Sequence, residues 1–351
     1  MIHEASVIIV CYNGLQYLED CLTSIQADAG MRAEIIMIDN ASSDRSTSYI
    51  EDHFPMVKLC RNETNKGFAL ACNQGAALAG SDTLVFLNQD TCVLPGWLDA
   101  LLDGLDDRSG VGLTTSQVLL MSMPDKVHLC GQDVHYAGFA FGHGFLTARQ
   151  FEGIEVEVTA VSGASFAIRK ELWERLGGFD PLYHMYYEET DLSLRARMLG
   201  YRSIVTPGSI VLHDYEPGIS SSTLYLTTRN RLILLMKLWR WYSFVLLFPG
   251  FFLAELIDLV YAMLLGREGI RAKKKAFAWL LSNIPDIQKT RKETQAHREV
   301  GDWLLLRSCS YRLSPSLITG GRVGRIAIKI AEIFWGLNYS IALGLLQLSK
   351  C

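Results

Sequence analysis

Over the first ninety residues, short unbroken apolar runs alternate with stretches in which apolar residues recur every three or four positions. Ser6-Val7-Ile8-Ile9-Val10 has the length and β-branched content of a buried strand, and Leu15, Leu18, Leu22 and Ile25 mark one face of a following helix. The alternation continues with a strand over Glu34–Asp39, a helix near Thr47–His53, a strand over Val57–Cys60, a small-residue helix over Gly67–Ala79 and a strand over Thr83–Leu87. Continuous apolar strands alternating with helices predict a parallel sheet covered on both faces. From about Val111 to Ser222 the pattern is less regular. Glycine and aromatic residues crowd Gly131–Gly144, which reads as loops near a substrate; a strand-like stretch covers Val158–Ile168, and a helix covers Glu188–Leu199.

The character changes after about Thr223. Trp241–Ala254 is a charge-free run of fourteen residues with Pro249-Gly250 inside it and Glu255 and Asp258 just beyond. A membrane span needs about 20 apolar residues, so this run fits an interfacial or re-entrant segment better. A basic stretch follows (Arg267, Arg271, Lys273, Lys274, Lys275, Lys289, Arg291, Lys292, Arg298), and then a second charge-free run of seventeen residues, Ile333–Ser349. Apolar residues flanked by cations suit an anionic membrane surface, and core helices packed on a catalytic domain are the plainer reading.

The chain of 351 residues, 49% hydrophobic and 20% charged, has room for one catalytic domain with an appendage. A net charge of -4 argues against nucleic acid as a partner. Eight scattered cysteines (Cys11, Cys21, Cys60, Cys72, Cys92, Cys130, Cys309, Cys351) show no zinc-ligand spacing. With no leader-like start, the expectation is a reducing, cytoplasmic compartment.

Each strand of the first half ends in polar residues: Cys11-Tyr12-Asn13-Gly14, Asp39-Asn40-Ala41-Ser42-Ser43-Asp44, Asn62 to Phe68, and Asn88-Gln89-Asp90. Singly these read as turn and cap residues, with Ser42 or Ser43 a natural N-cap. Together, on the carboxyl edge of one parallel sheet, they read as a nucleotide site. The glycine motifs of dinucleotide and P-loop proteins are missing from it. Asp90, with an amide oxygen two residues earlier, offers hard oxygen ligands to Mg2+ or Mn2+; a turn cap before Pro95 is the other reading.

Four segments then occur in order: Val7 to Asn13; Ile38 to Asp44; Asn65-Lys66-Gly67-Phe68-Ala69 with Asn73-Gln74-Gly75; and Leu87 to Thr91 with Pro95-Gly96-Trp97. Ser162-Gly163-Ala164, Gly177-Gly178-Phe179-Asp180, Tyr187 to Leu192, Arg195-Ala196, Val211-Leu212-His213 and Arg229-Asn230 continue the series. Over roughly residues 5 to 240 the chain resembles glycosyltransferase family two, particularly its bacterial rhamnosyltransferase-like branch.

That resemblance implies an α/β GT-A fold, Rossmann-like with a mostly parallel central sheet, and inversion at the anomeric carbon. With the patterning, the expected organisation is a catalytic domain over 1–222, with a nucleotide-sugar half (1–110) and an acceptor half (111–222), and a helical, membrane-associating region over 223–351. By the same resemblance Asp39 contacts the base, and Tyr12, Asn13, Asp44, Asn65, Lys66 and Gly67 line the nucleotide pocket. Asn88-Gln89-Asp90 stands at the DXD-type motif, with Asp90 and His213 as ligands of Mn2+ or Mg2+. Glu189 corresponds to the general base, where Asp is more usual, and Asp191 is its reserve. Gly163, Glu188, Arg229 and Asn230 fall on the acceptor or phosphate side. A sugar hydroxyl needs such a carboxylate to accept its proton, an effect worth roughly 10²–10⁴-fold. For Glu188, Glu189 and Asp191 the structural alternative is a set of first-turn acids held by the helix dipole. His135, His143, Trp97 and Trp173 are given no role, core or loop packing being their default.

The function expected is transfer of rhamnose or another hexose from a nucleotide-diphosphate sugar to a glycan or polyprenyl-linked acceptor in cell-surface polysaccharide synthesis, at the inner face of the cell membrane. Homo-oligomerisation is left open. A catalytically inactive GT-A module serving as a membrane-bound scaffold is the competing reading.

Overall fold

The computed structural model describes residues 3–106, 109–148, 155–215, 220–314 and 321–348, for 321–323 the backbone alone. Cys351 and Ser349 lie outside those residues. The chain forms two compact units: Met1–Gln132 with Gly142–Ala196 and Tyr201–Glu216, and Asp133–Phe141 with Arg197–Gly200 and Pro217–Cys351.

The first unit begins as the apolar pattern predicts. β1 (Ala5–Cys11), α1 (Leu15–Ala29), β2 (Ala33–Asp39), α2 (Ser46–His53), β3 (Lys58–Arg61), α3 (Phe68–Leu78) and β4 (Thr83–Asn88) alternate along the chain. The four strands pair in parallel in the order β3-β2-β1-β4. α1 buries Leu18, Cys21, Leu22 and Ile25, positions that share one helix face. Burial of its Leu and Ile side chains, at about 1.5–3 kcal/mol each, holds it on the sheet.

After β4 come β5 (Thr91–Val93), α4 (Trp97–Asp103), β6 (Val111–Leu120), β7 (Met123–Leu129), β8 (Gln132–Val134), β9 (Ala140–Gly142), β10 (Val156–Val158), β11 (Ser165–Arg169), α5 (Lys170–Leu176), α6 (Glu188–Met198) and β12 (Arg202–His213). β11 lies antiparallel between β4 and β6, and β12 runs parallel to β6, so the sheet is parallel in its first half and mixed beyond β4. The stretch expected as one strand over Val158–Ile168 is two. β10 pairs with β12 and β11 with β4 and β6. Between them side chains take over from the ladder: Ser162 N–H donates to Thr115 Oγ1 and Ala164 N–H to Ser162 Oγ. The chain therefore leaves one strand position and re-enters at another.

The second unit is helical: α7 (Ser221–Leu238), α8 (Trp241–Leu264), α9 (Gly266–Ser282), α10 (Ile284–Ala296), α11 (Asp302–Ser308) and α12 (Gly321–Leu348). The fourteen-residue run lies inside a 24-residue helix, because Glu255 and Asp258 do not end it. Both sit on its packed side and pair with Arg231 of α7 and Lys273 of α9. α8 and residues 324–348 of α12 are each long and apolar enough to cross a membrane. The glycine- and aromatic-rich segment expected near a substrate is largely core of this unit. Tyr136 and Ala137 are buried, Tyr136 Oη donates to Asn338 Oδ1, and Arg231 lies over the Phe139 ring.

Candidate active site

The tips of β1 and β2 are tied by side-chain-to-backbone bonds. Asn13, at φ 50°, donates its N–H to Ser42 Oγ, and its Oδ1 accepts from Ser43 N–H at 2.8 Å. Ser42 and Ser43 thus brace the β1 turn instead of capping α2, whose first residue is preceded by Arg45. Asp44 Oδ2 accepts from Leu15 N–H, the first amide of α1, and its Oδ1 from Ser46 N–H and Oγ–H. Partial burial works against ionisation, but these hydrogen bonds outweigh it and hold the Asp44 carboxyl below its ordinary value. Asp39 is buried at the end of β2, with Oδ1 accepting from Ser42 N–H. Tyr12 is exposed.

Asn40, which the sequence reading left unassigned, organises the loop after β3. Its Oδ1 accepts from Lys66 N–H and Asn62 Nδ2, and its Nδ2 donates to Asn65 Oδ1 and the Gly67 carbonyl. Asn62 and Gln74 exchange amide hydrogen bonds at 2.9 and 3.0 Å. Lys66 is left exposed on this braced loop, and Gly67, at φ 84°, precedes α3 in a conformation that favours glycine.

At the end of β4, Gln89 clamps the β1 tip: Tyr12 N–H donates to Gln89 Oε1 and Gln89 Nε2 to the Tyr12 carbonyl. A Cβ on Gly14 would lie 2.1 Å from Gln89 Oε1, so a side chain there would displace the Gln89 amide from the β1 tip. Asp90 lies beside β12 because β5 pairs antiparallel with it, His213 opposite Thr91. Asp90 Oδ1 is 3.2 Å from His213 Nε2. Adjacent ligands about 2.1 Å from an octahedral ion stand about 3 Å apart, so this carboxylate oxygen and imidazole nitrogen fit a shared divalent cation. Among the described residues no group of three or more His, Cys, Asp or Glu is arranged to hold a metal. Behind His213 stands His128 of β7, its Nδ1 3.0 Å from His213 Nδ1 and its ring stacked on Tyr215. Burial, then the neighbouring imidazole, pulls His128 down to about 3 against the pull of Asp90.

The acids of α6 differ in their surroundings. Asp191 is fully buried; its Oδ2 accepts from Arg195 Nε at 2.6 Å and its Oδ1 from Tyr183 Oη at 3.0 Å. Arg195 in turn donates to the carbonyls of Leu176 and Gly178. With both oxygens engaged, Asp191 is an anchor of α6 and not a free proton acceptor. Glu189 Oε1 accepts from Gln132 Nε2 at 2.6 Å, and Gln132 Oε1 accepts from Thr190 Oγ1. Glu188 is buried with its Oε2 unpartnered. Burial pushes both carboxyls up, and for Glu188 the adjacent Glu189 charge adds to it. The chain enters α6 through His184, Tyr186 and Tyr187, all at positive φ, a costly conformation for residues with side chains.

The segment 162–164 joins the two clusters. Asn88 N–H donates to the Ala164 carbonyl at 3.0 Å, and a Cβ on Gly163 would lie 3.4 Å from Glu189 Cδ. Asn88 and the buried Glu189 thus flank one turn of backbone. Arg229 and Asn230 are buried within the helical unit, where Arg229 Nε donates to Asn230 Oδ1 and its guanidinium covers the Trp279 ring. Trp97 and Trp173 are core residues, Trp97 donating to Ser165 Oγ and Trp173 stacking on Phe86. His135 is buried among aromatic rings; the His143 amide and carbonyl bridge Gly131 and Cys130.

A mixed sheet with helices on its faces and polar residues at its carboxyl edge is the GT-A architecture, and solved structures agree. The crystal structure of GalNAc-T7 with UDP, GalNAc and Mn2+ matches with a TM-score of 0.59 at 20% identity over 71% of this chain, which spans 51% of that one. The Pyrobaculum calidifontis mannosyltransferase PcManGT in complex with GDP-Man and Mn2+ matches with a TM-score of 0.50 at 17% identity, over 100% of this chain and 89% of its own. Residues 6–175 match the family model described as Glycosyl transferase family 2, which makes this stretch a glycosyltransferase family 2 domain. It is 26% identical over 230 residues to the N-acetylglucosaminyl-diphospho-decaprenol L-rhamnosyltransferase of Mycobacterium tuberculosis, covering 59% of this chain and 75% of that protein.

Proposed function

We propose that this glycosyltransferase transfers rhamnose or another hexose, with inversion, from a nucleotide-diphosphate sugar to a glycan or polyprenyl-linked acceptor in cell-surface polysaccharide synthesis. The observation that supports it is the turn at 162–164, whose Ala164 carbonyl accepts from Asn88 N–H, two residues before Asp90, and whose Gly163 packs against Glu189. The mycobacterial relative, named for transfer of L-rhamnose to a lipid-linked sugar, supports the donor and acceptor classes. The Mn2+ in both structural neighbours supports a divalent cation. Here Asp90 and His213 would hold it, and its chemistry would be to stabilise charge on the departing diphosphate.

In the proposed reaction the acceptor hydroxyl oxygen attacks the anomeric carbon from the face opposite the diphosphate. The new C–O bond forms as the bond to the phosphate oxygen breaks. The hydroxyl proton passes to a carboxylate oxygen of Glu189, and the nucleoside diphosphate leaves. Gln132 aims Glu189 by holding its Oε1, and Asp191 fixes the helix that carries it. Asp39, the Asn13 turn and the Asn40-braced loop with Lys66 and Gly67 form the nucleotide end. Glu189→Gln should lower kcat by about 10²–10⁴-fold with donor affinity retained, and Asp90→Ala should abolish the dependence of transfer on Mn2+. Wild-type turnover in Glu189→Gln would remove the base assignment.

Residues 1–222 form the catalytic domain in this proposal, and the helical region seats on the inner face of the cell membrane. α8 exposes Val245, Phe248, Phe252, Leu256, Val260 and Met263 along one side, and α12 exposes Ile330, Ile333, Leu337, Ile341 and Leu345. The two helices pack antiparallel: Trp335 Nε1 donates to the Gly250 carbonyl and Asn338 Nδ2 to that of Leu246. Their length would permit a span, but α8 is tied at mid-length to α9 through Lys273. α9 exposes Arg271, Lys274 and Lys275 beside it. A span would carry those cations into hydrocarbon at about 2.5–3.5 kcal/mol each. Lying in the interface keeps them among anionic headgroups.

A further inference from the structure

We propose that His128 is a positioning residue that sets the tautomer of His213, so that His213 presents a bare Nε2 beside Asp90 Oδ1. This rests on the reading of Asp90 and His213 as the cation's residues. The geometry is a linear relay of three groups: Asp90 Oδ1 to His213 Nε2 at 3.2 Å, and His213 Nδ1 to His128 Nδ1 at 3.0 Å. A 3.0 Å approach of two imidazole nitrogens requires that one carry the hydrogen and the other the lone pair. Two neutral arrangements satisfy the relay. In the first, His213 Nε2–H donates to Asp90 and His128 Nδ1–H donates to His213 Nδ1. In the second, His213 carries its proton on Nδ1 and donates it to His128 Nδ1, while the His128 proton resides on Nε2. Each imidazole holds one N–H in both arrangements, so the exchange gains or loses no proton.

Only the second arrangement leaves a lone pair on His213 Nε2, the nitrogen that faces Asp90. A ligating imidazole is held in that form by an acceptor for its other N–H, and His128 Nδ1 is the group within hydrogen-bond distance of it. His128 is itself held from behind: its ring stacks on Tyr215 at 4.0 Å and meets the edge of Phe145 at 6.2 Å. β7 pairs with β6, which pairs with the β12 strand carrying His213, so the two histidines are fixed by one run of sheet.

The test compares Mn2+ affinity in the absence of donor, read from the free-ion electron paramagnetic resonance signal, for wild type, His128→Asn and His128→Phe. The Asn Oδ1 falls where the His Nδ1 stood and can accept, whereas Phe fills the space and cannot. His128→Phe should weaken Mn2+ binding by about 10–100-fold, and His128→Asn should stay near wild type. In 15N spectra of the wild type saturated with Mg2+, the His213 proton should reside on Nδ1. Wild-type affinity in His128→Phe, equal losses in both variants, or a His213 proton on Nε2 at saturation would each overturn the proposal. Wild-type Mn2+ affinity in both Asp90→Ala and His213→Ala would remove the cation reading itself, and this proposal with it; loss in those two alone, with His128→Phe unaffected, would sink only the role of His128.

Discussion

Glu188 and Glu189 are neighbours in the chain, and both are buried at the start of α6. A helix N-terminus favours charged acids by a few tenths of a kcal/mol up to about 1. Burial acts the other way and wins, so both carboxyls sit above the ordinary value of 4.5. The sign for stability follows. A carboxyl whose folded value is raised contributes stability that is complete below its unfolded value and is lost as pH rises through the folded one. Glu188→Gln cannot ionise, so its melting temperature should match wild type near pH 4.5 and exceed it increasingly toward pH 8. Each pKa unit is about 1.4 kcal/mol, and each kcal/mol about 2–4 °C for a unit of this size. A gap that shrinks with rising pH would refute the assignment. The residue types of this site were legible in the chain. Their ionisation was not, because it depends on what covers them.

Gln132 shows what is decided at the level of elements. It opens β8, far in sequence from α6, and no local pattern marks it; yet its amide holds Glu189 with one end and accepts from Thr190 with the other. Its hydrogen bond favours the charged form of Glu189. Gln132→Leu should therefore shift the acid limb of the pH profile of kcat/KM to higher pH and lower kcat by up to about 10²-fold through loss of aim. Donor KM should stay unchanged; a loss confined to donor KM would contradict this role. The same scale explains the helix boundaries that the apolar pattern misplaced. Glu255 and Asp258 read as the end of a run, but on α8 they face Arg231 and Lys273, and paired charges do not interrupt a helix. Val158–Ile168 read as one strand-like stretch; Ser162 and Thr115 break it with hydrogen bonds visible only once β6 lies alongside.

At the scale of the whole molecule, each unit has its own physical logic. The first is a covered sheet with chemistry at one edge. The second is a helical unit that leaves two apolar stripes uncovered, on α8 and α12. Phe252→Glu with Leu337→Glu places a charge on each stripe without touching the Arg231–Glu255–Asp258–Lys273 network. The double variant should keep its helical circular dichroism and no longer float with vesicles containing anionic lipid. If it floats as the wild type does, the stripes are not the lipid contact. If the wild type is a dimer that the variant dissolves, a second copy covers them instead.

The order of strands and helices in the first ninety residues, the polar strand tips and the ordered motifs through His213 were fixed by the chain itself. Periodicity and residue type report local geometry, and strand ends in a parallel sheet share one edge whatever the rest of the fold does. Tertiary structure decided that Asp191 is held at both oxygens while Glu189 is held at one, that Gln132 and His128 stand beside Glu189 and His213, and that Arg229 and Asn230 lie in a helical core. Those properties depend on burial and on partners brought from distant segments, and neither is written in the spacing of residues along the chain.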